Sequence, residues 1–260
     1  VSGSGKSSLL IDVFAKKYKD KVIVVDQKQL TGMARGNLAT YINIFDNIRQ
    51  VYADKNNLSK RLFSFNSEGA CPECKGLGYK KIDMHFMGDV TVKCETCLGN
   101  RFKSNVLKYK YNGKTIAETL KMTVDEAVVF FDIPEIIKGL KTLQDVGLGY
   151  LQIGQSHDTL SGGEAQRLKL AKQLNKKSGI YILDEPTAGL HSYDIERLLL
   201  LINSLVDSGN TVLTIEHNLK FIAQSDWIID LGPFGGDCGG KIVAQGTPAE
   251  IANNKESITG

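Results

Sequence analysis

The chain has 260 residues, enough to bury a full core and to form one or two domains, and its formal charge of +3 is too small to imply a nucleic-acid partner by itself. No apolar run approaches the roughly 20 residues that cross a bilayer, and no signal peptide stands at the start, so a cytoplasmic protein without a membrane segment is expected. Four of the five cysteines form two C-x2-C pairs, a usage that favours metal over disulfide where thiols stay reduced.

The first feature in chain order is Gly3-Ser4-Gly5-Lys6-Ser7-Ser8. It reads as the end of a phosphate-binding loop, in which backbone N–H groups of Gly3 and Gly5 surround phosphates, Lys6 reaches the outer ones, and the hydroxyl of Ser7, followed by Ser8, serves Mg²⁺. The full pattern needs one more glycine, a position before Val1, so the chain is expected to start inside its own motif and to continue upstream. Residues 6–18 carry apolar side chains at helical spacing. Val22 to Val25 then reads as a buried strand with Asp26-Gln27 at its carboxyl end, where open α/β sheets bind ligands.

From about Asn66 to Gly149 the character changes to an insertion. Cys71, Cys74, Cys94 and Cys97 give C-x2-C, a 19-residue gap and C-x2-C, the spacing of a closed structural Zn²⁺ site. Each pair continues as C-x2-C-x-G, similar to the zinc modules of DnaJ-type chaperones. Between Lys75 and Lys114 nine Lys or Arg face three acids, with Tyr79, Phe86, Phe102, Tyr109 and Tyr111 interleaved. A basic, aromatic surface of this kind suits nucleic acid; a solvated hairpin face and a protein-binding zinc module are the other readings. Helical patterns follow at Val124 to Phe131 and Ile133 to Val146.

Leu160-Ser161-Gly162-Gly163-Glu164 opens the last third and leads into a long helix. A strand at Ile180 to Asp184 delivers Asp184-Glu185, one acid for Mg²⁺ and one to polarise an attacking water. A helix through Val206 and strands at Thr211 to Ile215 and Trp227 to Leu231 complete a mostly parallel α/β pattern. Cys238 stands alone and reads as a small idle thiol.

Together these motifs resemble the ABC-type ATPases: an α/β P-loop domain interrupted by a zinc-binding, helical signature subdomain. The segments expected are 1–65 and 151–260 for the ATP-binding domain and 66–150 for the insertion. The resemblance implies that Ser161, Gly162 and Gly163 bind the γ-phosphate of ATP held by a second nucleotide domain. Gln27 resembles the glutamine that senses Mg²⁺ and water, Ala188-Gly189-Leu190-His191 the D-loop, and His217 the switch histidine. Catalysis would fall to Glu185, His217 and Gln27, and two domains would have to pair.

Zinc pairs between the phosphate loop and the signature are not a transporter feature. With Asn37 to Tyr41, Phe63-Ser-Phe-Asn66, Gly147-Leu-Gly-Tyr150, Ile215-Glu-His-Asn-Leu219 and Trp227 to Pro233, they resemble the second ATPase half of the UvrA family. That resemblance implies recognition of damaged DNA in nucleotide excision repair, a homodimer or pairing with an upstream ABC half, binding of double-stranded DNA, and transfer to UvrB. The chain departs from the family between Lys28 and Leu38, at Asn66 to Ala70, and at Gly88, which stands where the hairpin tip normally has proline. An alternative expectation is therefore a UvrA-like paralogue in resistance to DNA-binding drugs.

Overall fold

The computed structural model describes residues 3–28, 30, 35–82, 90–174, 179–236 and 239–260. They divide into two compact units: Val1–Lys28, Asp145–Gly147 and Ser161–Gly260 make one, Gln29–Gln144 and Leu148–Leu160 the other. Residues 29–65, expected to continue the first segment of the ATP-binding domain, group with the second unit.

In the first unit three strands form a parallel sheet, with Ile180–Asp184 between Val22–Val25 and Thr211–Ile215. Val25 lies opposite Leu183, and Leu183 opposite Thr214, so the strands end almost level. The residues that follow them, Asp26-Gln27, Glu185 and Glu216-His217, therefore emerge along one edge, the usual place for a ligand in such sheets. Tyr181, Ile182 and Leu183 are fully buried, which is what an unbroken apolar run in a central parallel strand signals. Tyr181 still needs a partner for its hydroxyl, which donates to the Gln173 carbonyl at 3.2 Å.

The long helix Gly162–Gln173 begins with Ser161 as N-cap in a capping box with Glu164. Its buried Gln166 donates to the carbonyls of Val25, at 3.1 Å, and Asp184, at the ends of two neighbouring strands. A second helix, Ser192–Asp207, buries Ile195, Leu198, Ile202 and Leu205, one face at helical spacing. The strand expected at Trp227 to Leu231 is observed as Ile228–Gly232, pairing antiparallel with Lys241–Gly246. A parallel partner would need a crossover of a dozen or more residues, and residues 233–240 are too few. The helix after the phosphate loop is wound with π spacing over Ser8–Phe14 before an α turn at Ala15–Lys17.

The second unit is built from short capped helices around an aromatic core. Asn37, Thr115 and Thr123 each close a capping box at the start of Leu38–Tyr41, Ile116–Leu120 and Val124–Phe130. The helix Phe45–Asn56 supplies Phe45, Ile48 and Tyr52, and Pro134–Asp145 supplies Ile136, Leu140 and Leu143. Phe45 stacks on Phe65, Tyr52 meets Phe63, and Phe65 meets Phe102 edge-on. The Tyr52 hydroxyl is shared with Thr119 Oγ1 at 2.7 Å and reaches the Lys114 carbonyl at 2.9 Å, so burial, which pushes its pKa up, leaves no orphaned group. An antiparallel ribbon, Tyr79–Ile82 with Val90–Lys93, projects from this unit and is largely exposed along both strands.

Candidate nucleotide site and metal centre

The phosphate loop closes onto the end of the central strand. Gly3 and Gly5 have φ of +74° and +88°, a region open to glycine, and the space a Cβ would enter at Gly5 is free. Lys6 Nζ donates to Ser4 Oγ at 3.3 Å. Ser7 Oγ donates to Asp184 Oδ1 at 3.3 Å, which places a hydroxyl and a carboxylate where one hard cation would take both as ligands. Ser8 opens the following helix and is exposed. Burial pushes the Asp184 carboxyl above its usual range; Ser7 opposes that, while Glu185 and Asp26 add to it. A half-buried acid crowded by two others is a site whose charge asks for a cation.

Glu185 follows with φ of +48°, an uncommon value for a non-glycine residue, and its N–H donates to the Ile215 carbonyl at 2.8 Å. This turn aims its carboxylate at the neighbouring strand end, where Oε1 lies 3.4 Å from His217 Nε2. Gln27 Nε2 donates to the Glu185 carbonyl at 3.3 Å. Ser7, Asp184, Glu185, Gln27 and His217 thus form one linked set. Ser161, Gly162 and Gly163 sit at the start of their helix, where a Cβ on Gly162 would stand 3.4 Å from the Gln27 carbonyl: the Ser161 N–H donates to Glu164 Oε2 at 2.7 Å, and Ser161 Oγ accepts from the Glu164 N–H at 3.3 Å. A Cβ on Gly163 would stand 3.0 Å from the Ala188 carbonyl, so a bare glycine lets the signature approach the D-loop.

Three contributors escaped the sequence reading. Lys169 Nζ donates to Asp26 Oδ1 at 2.6 Å and to the Lys28 carbonyl at 2.6 Å, pinning the segment that carries Gln27 to the signature helix. The Glu216 carboxylate accepts three backbone N–H groups, from Thr187, His217 and Asn218. The glycine-rich segment after Gly232 leans on the phosphate loop: the Gly236 N–H donates to the Gly3 carbonyl at 3.1 Å and the Gly240 N–H to that of Ser4 at 3.2 Å. Their signals, an acid and a glycine run after strands and a lysine within a helix, were too general to single out without the contacts.

In the second unit Cys71, Cys74, Cys94 and Cys97 are buried and their sulfurs all lie within 4.8 Å of one another. Two separations, 4.0 Å for Cys71 to Cys94 and 3.6 Å for Cys74 to Cys97, bracket the ~3.8 Å edge of a tetrahedron with metal–sulfur bonds of about 2.3 Å. The knuckles repeat each other: Lys75-Gly76 and Leu98-Gly99 all have positive φ. A Cβ on Gly76 would fall 1.8 Å from the Phe65 carbonyl, which excludes any side chain there, while Gly99 shares the left-handed φ of +79°. Amide donation from Cys97 first of all pulls the Cys94 thiol down to about 7, whereas burial pushes Cys97 up to about 12. Four crowded thiols cannot all ionise without a cation to hold them.

The basic and aromatic residues around this knot fall into an exposed group and a packed one. Lys75, Lys80, Lys81, Lys93, Lys103, Lys108, Lys110 and Lys114 are exposed. Arg101 is not part of that surface. Its guanidinium lies 3.7 Å from the Phe65 ring centroid and donates to the carbonyls of Gly76 at 2.8 Å and Arg35 at 2.7 Å, and burial lowers its pKa to about 10. Phe102 and Tyr111 are buried in the core, and Tyr109 packs edge-on against Phe63, so these rings serve packing where a base-stacking surface was expected. Lys80 pairs with Glu73. Phe86, Gly88 and Cys238 lie outside the described residues. Among the described residues, no helix is long and apolar enough to cross a membrane.

A model of the ABC transporter family matches residues 1–188. Over its whole length the chain is 50% identical to the UvrABC system protein A of Streptococcus pyogenes serotype M1 and 51% identical to that of Staphylococcus aureus strain COL, spanning 31% of each. The crystal structure of UvrA2 from Deinococcus radiodurans superposes with a TM-score of 0.90 at 43% identity, over 100% of this chain and 35% of that one. The chain thus spans about a third of the length of the relatives it matches. A phosphate loop joined to a two-acid strand end, a capped signature helix and a four-cysteine knot agree with those likenesses, and the chain belongs to the ABC family of ATPases and, within it, to the UvrA proteins.

Proposed function

We propose that the first unit binds ATP with Mg²⁺ and hydrolyses it, that the second holds Zn²⁺ and contacts double-stranded DNA, and that the protein serves recognition of damaged DNA in a UvrABC-type excision system in the cytoplasm. The observation that carries the nucleotide part is the convergence of Ser7, Asp184, Glu185 and His217 at adjacent strand ends. Mg²⁺ neutralises phosphate charge when bound; Ser7 and Asp184 would hold it. Lys6 would steady the outer phosphates, Glu185 would accept the proton of the attacking water, and His217 would hold the γ-phosphate side of that acid in place. Ser161 to Gly163 would complete the phosphate site of a paired domain, in a homodimer or with an upstream ABC half, and UvrB would receive the DNA.

Turnover tests the nucleotide part. Glu185→Gln should bind ATP as the wild type does and lose at least about 100-fold in kcat, the lower range for general acid–base catalysis; wild-type turnover in that variant removes Glu185 from its role. For DNA, the ribbon register puts Tyr79, Lys81, Thr91 and Lys93 on one face. Changing Lys81 and Lys93 to Glu should weaken duplex binding and flatten its dependence on salt. An unchanged salt slope would favour a protein-binding zinc module.

A further inference from the structure

Glu216 stands between the end of the strand Thr211–Ile215 and His217, and its carboxylate is fully engaged by backbone. Oε1 accepts the Thr187 N–H at 2.8 Å; Oε2 accepts the N–H of His217 at 2.9 Å and of Asn218 at 3.2 Å. Thr187 is buried and lies two residues beyond Glu185, in a turn closed by the Ala188 N–H on the Glu185 carbonyl at 3.0 Å. The same turn contains the left-handed backbone of Glu185. One carboxylate therefore ties two turns that leave neighbouring parallel strands, and each turn carries one of the two side chains that meet at 3.4 Å.

We infer that Glu216 is a positioning residue for ATP hydrolysis: it sets the spacing of Glu185 and His217 by fixing the backbone under both, without touching nucleotide. The charge matters because three N–H donors converge on it, and charge-assisted bonds of this type are about twice as strong as neutral ones. A glutamine keeps a single acceptor oxygen and turns an NH₂ group toward N–H donors, so it can serve one turn and not both. An alanine serves neither and frees the turn that holds Glu185 in its uncommon conformation. This inference rests on the ATPase reading above.

The test uses the protein at its natural length. Glu216→Ala should lower kcat for ATP about tenfold, the scale of a displacement well below 1 Å, while KM moves less than about twofold; Glu216→Gln should fall between that and the wild type. In a His217→Ala background, Glu216→Ala should cost less than about twofold more, because its effect passes through that pair. A Glu216→Ala enzyme with unchanged kcat, or losses that multiply fully in the double variant, overturns the inference. Should alanine lower Tm, the isosteric glutamine decides: reduced kcat at wild-type Tm supports the inference, and unchanged kcat overturns it. Amide hydrogen exchange at Thr187 and His217 reads the tie without turnover. Exchange at least about tenfold faster in Glu216→Ala supports it and unchanged exchange overturns it, whereas a wild type that hydrolyses no ATP overturns the nucleotide reading alone.

Discussion

Ser7 Oγ and Asp184 Oδ1 meet at 3.3 Å although 177 residues separate them. The contact joins the loop that would hold phosphates to the strand that would hold the metal, and it places Asp184 in a partly dehydrated, acid-rich corner. Burial raises the folded-state pKa of this carboxyl. A raised carboxyl pKa means that the folded state takes up a proton more readily than the unfolded one, so this group favours folding most at acid pH and that contribution is lost as pH rises through the folded pKa. At neutral pH the ionised acid is a cost that a bound cation would offset.

Asp184→Asn should therefore raise Tm in metal-free buffer near pH 7 while abolishing Mg²⁺-dependent ATP hydrolysis. The wild type should gain more Tm from Mg²⁺ with nucleotide at pH 7 than at pH 5. A destabilised Asp184→Asn, measured by thermal melting in chelator, would contradict this account of the corner.

The cysteine knot makes a second prediction. Serine at Cys74 or Cys97 should bring zinc content well below one equivalent per chain and melt the ribbon, because roughly 10–16 kcal/mol of metal binding is available to fold a segment that buries little else. Since the ligands are thiolates, acidification should release the metal from the wild type, and a chromogenic chelator would report the midpoint. Full zinc retention in both variants would rule out a four-sulfur site.

Gly239 sits against the phosphate loop with no room for a side chain: a Cβ would stand 2.7 Å from the Phe234 carbonyl and 3.2 Å from Ser4 Cα. Gly239→Val should push the loop and raise KM for ATP about tenfold, with DNA affinity in the absence of nucleotide unchanged. Equal KM in wild type and variant would show that the glycine-rich segment merely lies beside the loop.

Arg101→Ala should destabilise the second unit by about 2–3 kcal/mol, through loss of a desolvated cation–π contact and two charge-assisted hydrogen bonds. Urea unfolding checks the magnitude. The salt dependence of DNA binding should stay as in the wild type under conditions where the variant is folded, since the half-buried Arg101 guanidinium is engaged by Phe65 and two carbonyls.

The strands at Val22–Val25, Ile180–Asp184 and Thr211–Ile215 were legible because each is short and rich in β-branched and other apolar residues, with no alternation of a charged face, and buried parallel strands need no polar face. The cysteine knot was legible because local spacing constrains both knuckles. Arg101 and the rings around it were not. Spacing shows that a cation and aromatics lie near one another in sequence, but whether they face water or each other depends on Phe65 and Arg35, which come from distant turns. Glu216 and Lys169 were equally hidden, since each reaches a backbone atom far off in sequence, the Thr187 N–H 29 residues away and the Lys28 carbonyl 141 residues away. Backbone carbonyls and amides carry no residue signature, so side chains that bind them leave no pattern to find.

The ribbon Tyr79–Ile82 and Val90–Lys93 shows solvent nearly the whole of its length, and a lone two-stranded hairpin is at best marginally stable in water. Its root is the sulfur knot and its reach depends only on how many residue pairs are strung beyond it. Lengthening both strands by two residues would extend the arm by about 7 Å and leave every existing side chain on its original face. Ribbon length can thus change without disturbing the four-cysteine knot, which stays as a fixed base for whatever is strung beyond it.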